Sequence, residues 1–567
     1  MQGTTEASGT EKHADTNWNS IDWHQQERHV RNLRQRIFRA TQAGEWKRVR
    51  SLQKLMLRSH ANRVVSVRRV AQLNTGKRTP GVDKVLLKTP ETRGRMVDHL
   101  AHYQPWTAKP ARRVYIAKSN GKLRPLGIPA MMDRCLQAMV KNALEPSWEA
   151  RFEGCSYGFR PGRGCHDAIE KIYRLARPNS RRKWVLDADI KGAFDHISHE
   201  HLLTTIGRVP GIELIKQWLK AGYMEKGVFH ETQAGTPQGG VISPLLANIA
   251  LHGMEEALEI KHYTRGDLNS TRAVVRYADD FCVFCESQED AETAKQVLTD
   301  WLIERGLTLS AEKTNIVHLT EGLNFLGFHI RLYRTSNTKT GWKLLTKPSK
   351  EAVQKHREQM RQAWEAVRGW SIGKVLWKLN PILRGWANYY RTGTAKETFH
   401  KLDDWMFYKE VKHIKRTHPR KSKKWQQRHY WGRLNLERQD HWVFGDKHTG
   451  QYLLKYAWFP IERHILVRGT ASPDDPALKA YWLWRNALKV KDLPPSRQKI
   501  AKKQHGLCPV CKSTLFNDEE LHVHHRIPKA QGGKDTYGNL LLVHAFCHQQ
   551  IHAREGVANE LAKKGSS

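Results

Sequence analysis

The chain has 567 residues, with 95 Lys and Arg against 56 Asp and Glu and a net charge of +39. A surplus of that size calls for a polyanionic partner, and 20 Trp add flat surfaces on which bases stack. No run of eighteen apolar residues exists, so no transmembrane helix and no membrane partner are expected, and the polar first residues do not predict a secretory signal. Eight Cys are too few for a disulfide scaffold and fit a reducing cytoplasm.

Residues 1–20 are polar and expected to be disordered. From Trp23 to about Val70, Val30, Leu33, Ile37 and then Trp46, Val49, Leu52 and Leu55 recur at helical intervals among Arg and Lys, predicting a basic helix pair. Arg112 to Leu126 reads as a basic hairpin turning at Ser119-Asn120-Gly121. Its Lys118 and Arg124 would hold a triphosphate, Arg as a planar fork and Lys as a mobile point charge.

Two acidic segments follow, Asp187-Ala188-Asp189 after Trp184-Val185-Leu186, and Tyr277-Ala278-Asp279-Asp280 between Ala273–Arg276 and Phe281–Phe284. Strands packed side by side would bring Asp189, Asp279 and Asp280 to one point. Three carboxylates there repel one another unless divalent cations neutralise them, and two Mg²⁺ so held can activate a 3′-hydroxyl and stabilise leaving pyrophosphate. This is polymerase chemistry. Between the segments, Gly235-Thr236-Pro237-Gln238-Gly239-Gly240 is a glycine-rich loop entering an apolar helix, where backbone approaches a base pair or sugar closely and Gln238 would support the nucleotide or template base. Tyr277 would back the primer end, with plain strand packing as its alternative. Cys282 and Cys285 are three apart in an extended strand, so they face opposite ways and are read as buried thiols, not a metal pair.

From 346 to 440 the pattern is helical, with Trp364, Trp370, Trp377 and Trp386 and then Lys412 to Lys424 interleaved with Trp425, Tyr430 and Trp431, a mixture suited to phosphate neutralisation and base stacking. Ser472-Pro473-Asp474-Asp475-Pro476 marks a loop, and Leu493-Pro494-Pro495-Ser496 reads as a linker. Last, Cys508-x-x-Cys511 and His544-x-x-Cys547 supply four ligands for a closed tetrahedral structural Zn²⁺ site, a staple that so short a domain needs. His548 and His552, four apart, share one helix face.

In this order, with Ser156-Tyr157-Gly158-Phe159-Arg160-Pro161-Gly162 and Pro381 to Arg391 added, the segments resemble the reverse transcriptases of group II intron-encoded proteins, and the C-terminal part resembles the ββα-metal, or HNH, nucleases. The resemblance implies a multidomain α+β chain: an N-terminal extension and fingers at 21–180, an α/β palm at 181–345, a helical thumb or maturase domain X at 346–440, a DNA-binding segment at 441–500 and an HNH domain at 501–567. It places the metal aspartate at Asp189 and gives Asp187 and Asp195 lesser claims. Phe194 falls where a bulky ring would clash with a 2′-hydroxyl. In the HNH part it makes His525 the general base, His524, His548 and His552 ligands of one divalent ion, and Asn539 the brace of the base-bearing loop. Relatives often carry Asp where His524 stands and Cys where His544 stands.

The function implied is a bacterial, cytoplasmic, nucleoid-associated protein with dNTPs, intron RNA and target DNA as partners. It would assist intron splicing, nick one DNA strand and copy the intron from the nicked end. A reverse transcriptase of another retroelement or defence system would lack the thumb motif or HNH part. A splicing-only maturase would have lost a palm aspartate or His525.

Overall fold

The computed structural model describes residues 16–102, 106–117, 121, 123–264, 266–517 and 519–564, with side chains as far as Arg554. Lys118, assigned above to the triphosphate, lies outside the described residues, as do 1–15. Thr16 to Ser20, expected to be disordered, are packed: Trp18 is buried against Trp23, ring centroids 5.0 Å apart.

Asp22 caps the helix Trp23–Gln42 by accepting from the Gln25 amide. With Trp46–Arg58 and His60–Arg68 this helix packs on the long helix Met131–Glu149, burying Val30, Ile37, Val49, Leu52 and Met56 around Ala143. Leu55 and Trp46, expected on the apolar stripe, are about half exposed instead (48% and 47%), because the stripe runs through Gln53 and Met56.

The basic hairpin Ala111–Ala117 and Leu123–Ile128 forms the edge of a four-stranded fingers sheet with Tyr223–Glu225 and Val228–His230. The palm sheet is antiparallel in the order Ala273–Tyr277, Asp280–Cys285, Trp184–Asp189, Asn315–His318. Its two faces serve two cores. Val185, Val275, Cys282 and Phe284 pack toward the thumb, and Leu186, Val274, Val283 and Cys285 toward the palm helices. Cys282 and Cys285 therefore do point to opposite faces, both fully buried.

A second sheet, Leu323–Phe325, Phe328–Arg334 and Trp342–Pro348, leads into the thumb helices Lys350–Ala366, Ile372–Tyr390 and Lys396–Thr417. Trp386 stacks on His356 at 4.6 Å, and His356 Nε2 lies 2.6 Å from the Tyr456 hydroxyl. The 441–500 segment is stitched to the rest by buried ions. Arg34 joins Glu145 (2.9 Å) to Asp474 (2.7 Å), and Asp167 receives His464 (2.9 Å) and Arg485 (3.1 Å).

The C-terminal part is a two-stranded sheet, Leu521–His525 with Leu540–His544, and the helix Ala545–Lys564. Leu493–Ser496 is not a slack linker: it enters the helix Pro495–Lys503 with Pro at its start, so a boundary at 501 would cut that helix. The nuclease part shares one core with the N-terminal helices, Trp23, Val64 and Val67 packing with Leu515, Leu542 and Val543. Among the described residues no helix is long and apolar enough to cross a membrane.

Candidate polymerase and nuclease sites

Asp189 ends its palm strand directly opposite Asp280 of the neighbouring antiparallel strand. Asp279 occupies the turn between Tyr277 and Asp280, where Ala278 takes a left-handed φ of 59°. A left-handed φ costs a residue with a Cβ roughly 1–2 kcal/mol, so Ala278 is held there by its surroundings, while Asp is a common turn residue. Burial, and then the charges of Asp279 and Asp189, push the Asp280 carboxyl up to about 7, and Asp279 is raised by burial as well. Lys313 Nζ lies 2.5 Å from Asp189 Oδ2, and that bond raises the ammonium in turn. Sequence alone assigns Lys313 no role, because its local pattern is that of an ordinary solvated lysine.

Asp187, two residues back on the same strand, is drawn away from the cluster. It accepts from the Cys282 thiol at 3.6 Å and is pushed up to about 6 by burial. Among the described residues, the groups whose three or more ligand atoms all lie within 4.8 Å of one another do not include the palm aspartates. The palm trio fits ions completed by substrate oxygens, since Mg²⁺ is commonly held by one or two carboxylates plus phosphates.

The fingers reach this centre through a relay. Arg124 Nε donates to Gln238 Oε1 (2.9 Å), and Gln238 Nε2 donates to Asp195 Oδ2 (3.0 Å). The Gln238 carbonyl also accepts from Gly127 N–H at 2.7 Å, clamping the glycine-rich loop onto the hairpin. Gly239, at φ +121°, has room for no side chain, because a Cβ would stand 2.7 Å from the Gly127 oxygen. Asp195, a lesser metal candidate by sequence, is tied into this relay. Phe194 is buried, its ring edge-on to Phe159 at 6.1 Å. Beneath the turn, a Cβ on Gly158 would meet the Ala278 amide, and Tyr277 and Tyr389 pack against the same core.

In the C-terminal domain, Cys508, Cys511, His544 and Cys547 are buried with their ligand atoms mutually within 4.8 Å. His544 Nε2 lies 3.0 Å from the Thr514 carbonyl, and Nδ1 lies 3.4 Å from Cys511 Sγ. Donating Nε2–H to the carbonyl leaves Nδ1 as the ligand atom, and a three-thiol, one-imidazole set fits Zn²⁺. His524, His548 and His552 form the second cluster, with His548 and His552 Nε2 atoms 3.2 Å apart. Three imidazoles fit a borderline transition metal better than a hard cation. His525 Nε2 is 2.6 Å from Asp535 Oδ1, a partner the sequence did not reveal. Asn539 accepts from Ile527 N–H (2.8 Å) and donates to the carbonyls of Ile527 and Lys534 (both 3.0 Å), closing the loop between them.

A carboxylate-bearing palm with fingers and thumb, followed by a ββα unit carrying an imidazole cluster, defines a nucleic-acid polymerase joined to a nuclease. Residues 116–330 match the family described as reverse transcriptase (RNA-dependent DNA polymerase), and 18–100 match the N-terminal domain of reverse transcriptase. Residues 353–431 match the group II intron maturase-specific domain, and 508–554 match the HNH endonucleases. Protein YkfC of Escherichia coli is 36% identical over 46% of this chain and 78% of its own length. The group II intron-encoded protein LtrA of Lactococcus lactis is 34% identical over 42% of this chain and 49% of its own, so the match spans about half of that relative. Telomerase from Candida albicans, solved with a fragment of telomeric RNA, covers 55% of this chain and 59% of its own at 13% identity and a TM-score of 0.33, too distant to carry an argument. The chain belongs to the multifunctional group II intron-encoded proteins, with reverse transcriptase, maturase and HNH endonuclease domains.

Proposed function

We propose that this protein binds its own group II intron RNA, assists its splicing, nicks one strand of a DNA target with its HNH site and extends the new 3′-hydroxyl in its palm, working at the nucleoid in a bacterial cytoplasm. The observation that supports this most is the presence of two separate reaction centres on one chain: Asp189 facing Asp280 in the palm, and the three-imidazole cluster beside His525 at the C-terminus.

Bound Mg²⁺ would activate the primer hydroxyl and neutralise the departing pyrophosphate. The chain's own part is to position the reactants. Asp189 and Asp280 with Asp279 hold the charge that draws cations in. Lys313 balances Asp189 until substrate arrives. Arg124 meets the triphosphate while its bond to Gln238 fixes its direction, and Asp195 anchors Gln238 from the palm side. Buried Phe194 presents a rigid ring to the sugar and disfavours a 2′-hydroxyl.

At the nuclease site, His524, His548 and His552 would hold one divalent ion against the scissile phosphate, and Cys508, Cys511, His544 and Cys547 a structural Zn²⁺. His525 takes the proton of the attacking water. Its Nε2–H donated to Asp535 leaves Nδ1 basic, and Asp535 stabilises the imidazolium that forms. Asn539 keeps that loop in place.

The test is reconstitution with spliced intron RNA, a target duplex and labelled dNTPs. The expected product is cDNA covalently joined to the nicked strand. Nicking without extension, under conditions where a supplied primer–template is copied, would refute the coupling of the two sites.

A further inference from the structure

Arg68, the last residue of the helix His60–Arg68, is 3% exposed and points into the nuclease domain. Its Nη2 donates to the Cys547 sulfur at 3.6 Å and lies 3.6 Å from the Glu519 carboxylate. Nη1 is 3.8 Å from Glu27, and the guanidinium lies 4.5 Å above the Trp23 ring. Glu519, whose side chain is only 2% exposed, uses its other oxygen to accept the Phe546 N–H at 3.1 Å, capping the first turn of the helix Ala545–Lys564. That helix carries Cys547 of the thiol cluster and His548 and His552 of the imidazole cluster. On the same interface Gln550 Nε2 donates to the carbonyls of Asn19 (3.1 Å) and Ile21 (2.8 Å).

We propose that Arg68, a residue of the polymerase's N-terminal helices, is the outer-sphere partner of the zinc site in the nuclease domain, so that zinc loading and docking of the nuclease onto the polymerase are one coupled event. Zn²⁺ with three thiolates and a neutral imidazole carries a net charge of about −1. Such a charge in an apolar core needs a nearby counter-charge, and Arg68 is placed to supply it. One guanidinium donates to a metal-ligand sulfur and forms an ion pair with the carboxylate that caps the metal-bearing helix. Arg68 is a positioning residue: it holds Cys547 and, through Glu519, sets the helix on which His548 and His552 stand. The consequence is a nuclease fixed to the fingers side of the polymerase rather than swinging on a tether.

The inference rests on the zinc reading of Cys508, Cys511, His544 and Cys547, and the experiment separates the two. Zinc content of the full-length protein is measured first, then its release to a chromophoric chelator, in wild type, Arg68→Leu and Arg68→Lys. The expectation is one zinc in the wild type that survives His548→Ala, and release of that zinc about 10- to 100-fold faster in Arg68→Leu, the usual effect of losing an outer-shell partner. Arg68→Lys, which keeps the charge but not the fork, should fall between. A wild type without zinc overturns the zinc reading itself. A zinc-bound wild type with a folded Arg68→Leu releasing within twofold of it overturns the role of Arg68 alone. Should Arg68→Leu fail to fold, hydrogen exchange of the wild type before and after zinc removal decides the matter. Loss of protection spreading into 60–68 supports coupling, and loss confined to 508–554 refutes it.

Discussion

Gly158 offers the sharpest test of how the palm turn is held. A Cβ at this position would stand 2.4 Å from the Ala278 amide nitrogen and 3.0 Å from the Tyr277 carbonyl carbon. Both are backbone atoms, so neither can rotate away. The loop cannot retreat easily, because Tyr157 N–H donates to the Arg276 carbonyl (2.9 Å), Arg276 N–H donates to Cys155 (2.9 Å), and Asn248 Nδ2 holds the Gly158 carbonyl (2.9 Å). Reaching an ordinary carbon contact therefore moves the turn that bears Asp279 by about 1 Å, a displacement that can cost roughly 10²-fold in rate. Overpacking of this kind also removes about 1–3 kcal/mol of stability. The assay is single-turnover primer extension by Gly158→Ala at saturating dNTP, with nicking by the same preparation as internal control. Gly164→Ala serves as the matched comparison, since nothing lies within 4 Å of a Cβ there, and should extend within twofold of wild type. Wild-type extension by Gly158→Ala would refute the reasoning.

Asp279→Ala should abolish cDNA synthesis yet leave splicing of the intron RNA near the wild-type rate; a folded variant that fails to splice would contradict the separation of roles. His525→Ala should lose nicking by several orders of magnitude while extending a supplied primer normally, measured on the same duplex with and without a pre-formed nick. A pH effect is expected in domain X. Glu410 is buried, accepts from Trp431 Nε1 at 3.0 Å, and has a carboxyl pushed by burial from 4.5 up to about 7. Between those values the folded chain keeps a proton that the unfolded chain has lost, so stability falls as pH rises through this window, by about 3 kcal/mol in all. Glu410→Gln should flatten the dependence and be the more stable protein at pH 8 but not at pH 4.5. Denaturant midpoints at the two pH values check this, and parallel curves for the two proteins would rule it out.

What could be read from the sequence was whatever local periodicity enforces. A strand that ends at Asp189 and a hairpin that turns at Ala278-Asp279 follow from apolar runs flanking acids. The opposed faces of Cys282 and Cys285, and the shared face of His548 and His552, follow from periods of two and 3.6. Partners brought in by tertiary folding left no such trace. Lys313 meets Asp189 across 124 positions and Arg68 meets Cys547 across 479, each from a segment whose local pattern is ordinary. Asp535 sits in a Gly- and Lys-rich loop where an acid reads as solvated. Leu55 was misplaced because a basic helix with a broad apolar stripe permits two faces, and contact with the helix Met131–Glu149 selects the one bearing Gln53 and Met56.

The maturase motif shows why packing and function are hard to separate in this chain. Tyr389 donates to the Leu326 carbonyl at 2.9 Å, and Gly327, at φ +80°, would place a Cβ 2.7 Å from the Tyr390 hydroxyl. The turn at Leu326-Gly327 thus fits the thumb helix so closely that only glycine is admitted. Tyr389 of that helix and Tyr277 of the palm turn both pack against the core that holds Val275, Phe284 and Phe328. The thumb helix and the palm turn thus rest on one packed core, so a change of fit in either bears on the other.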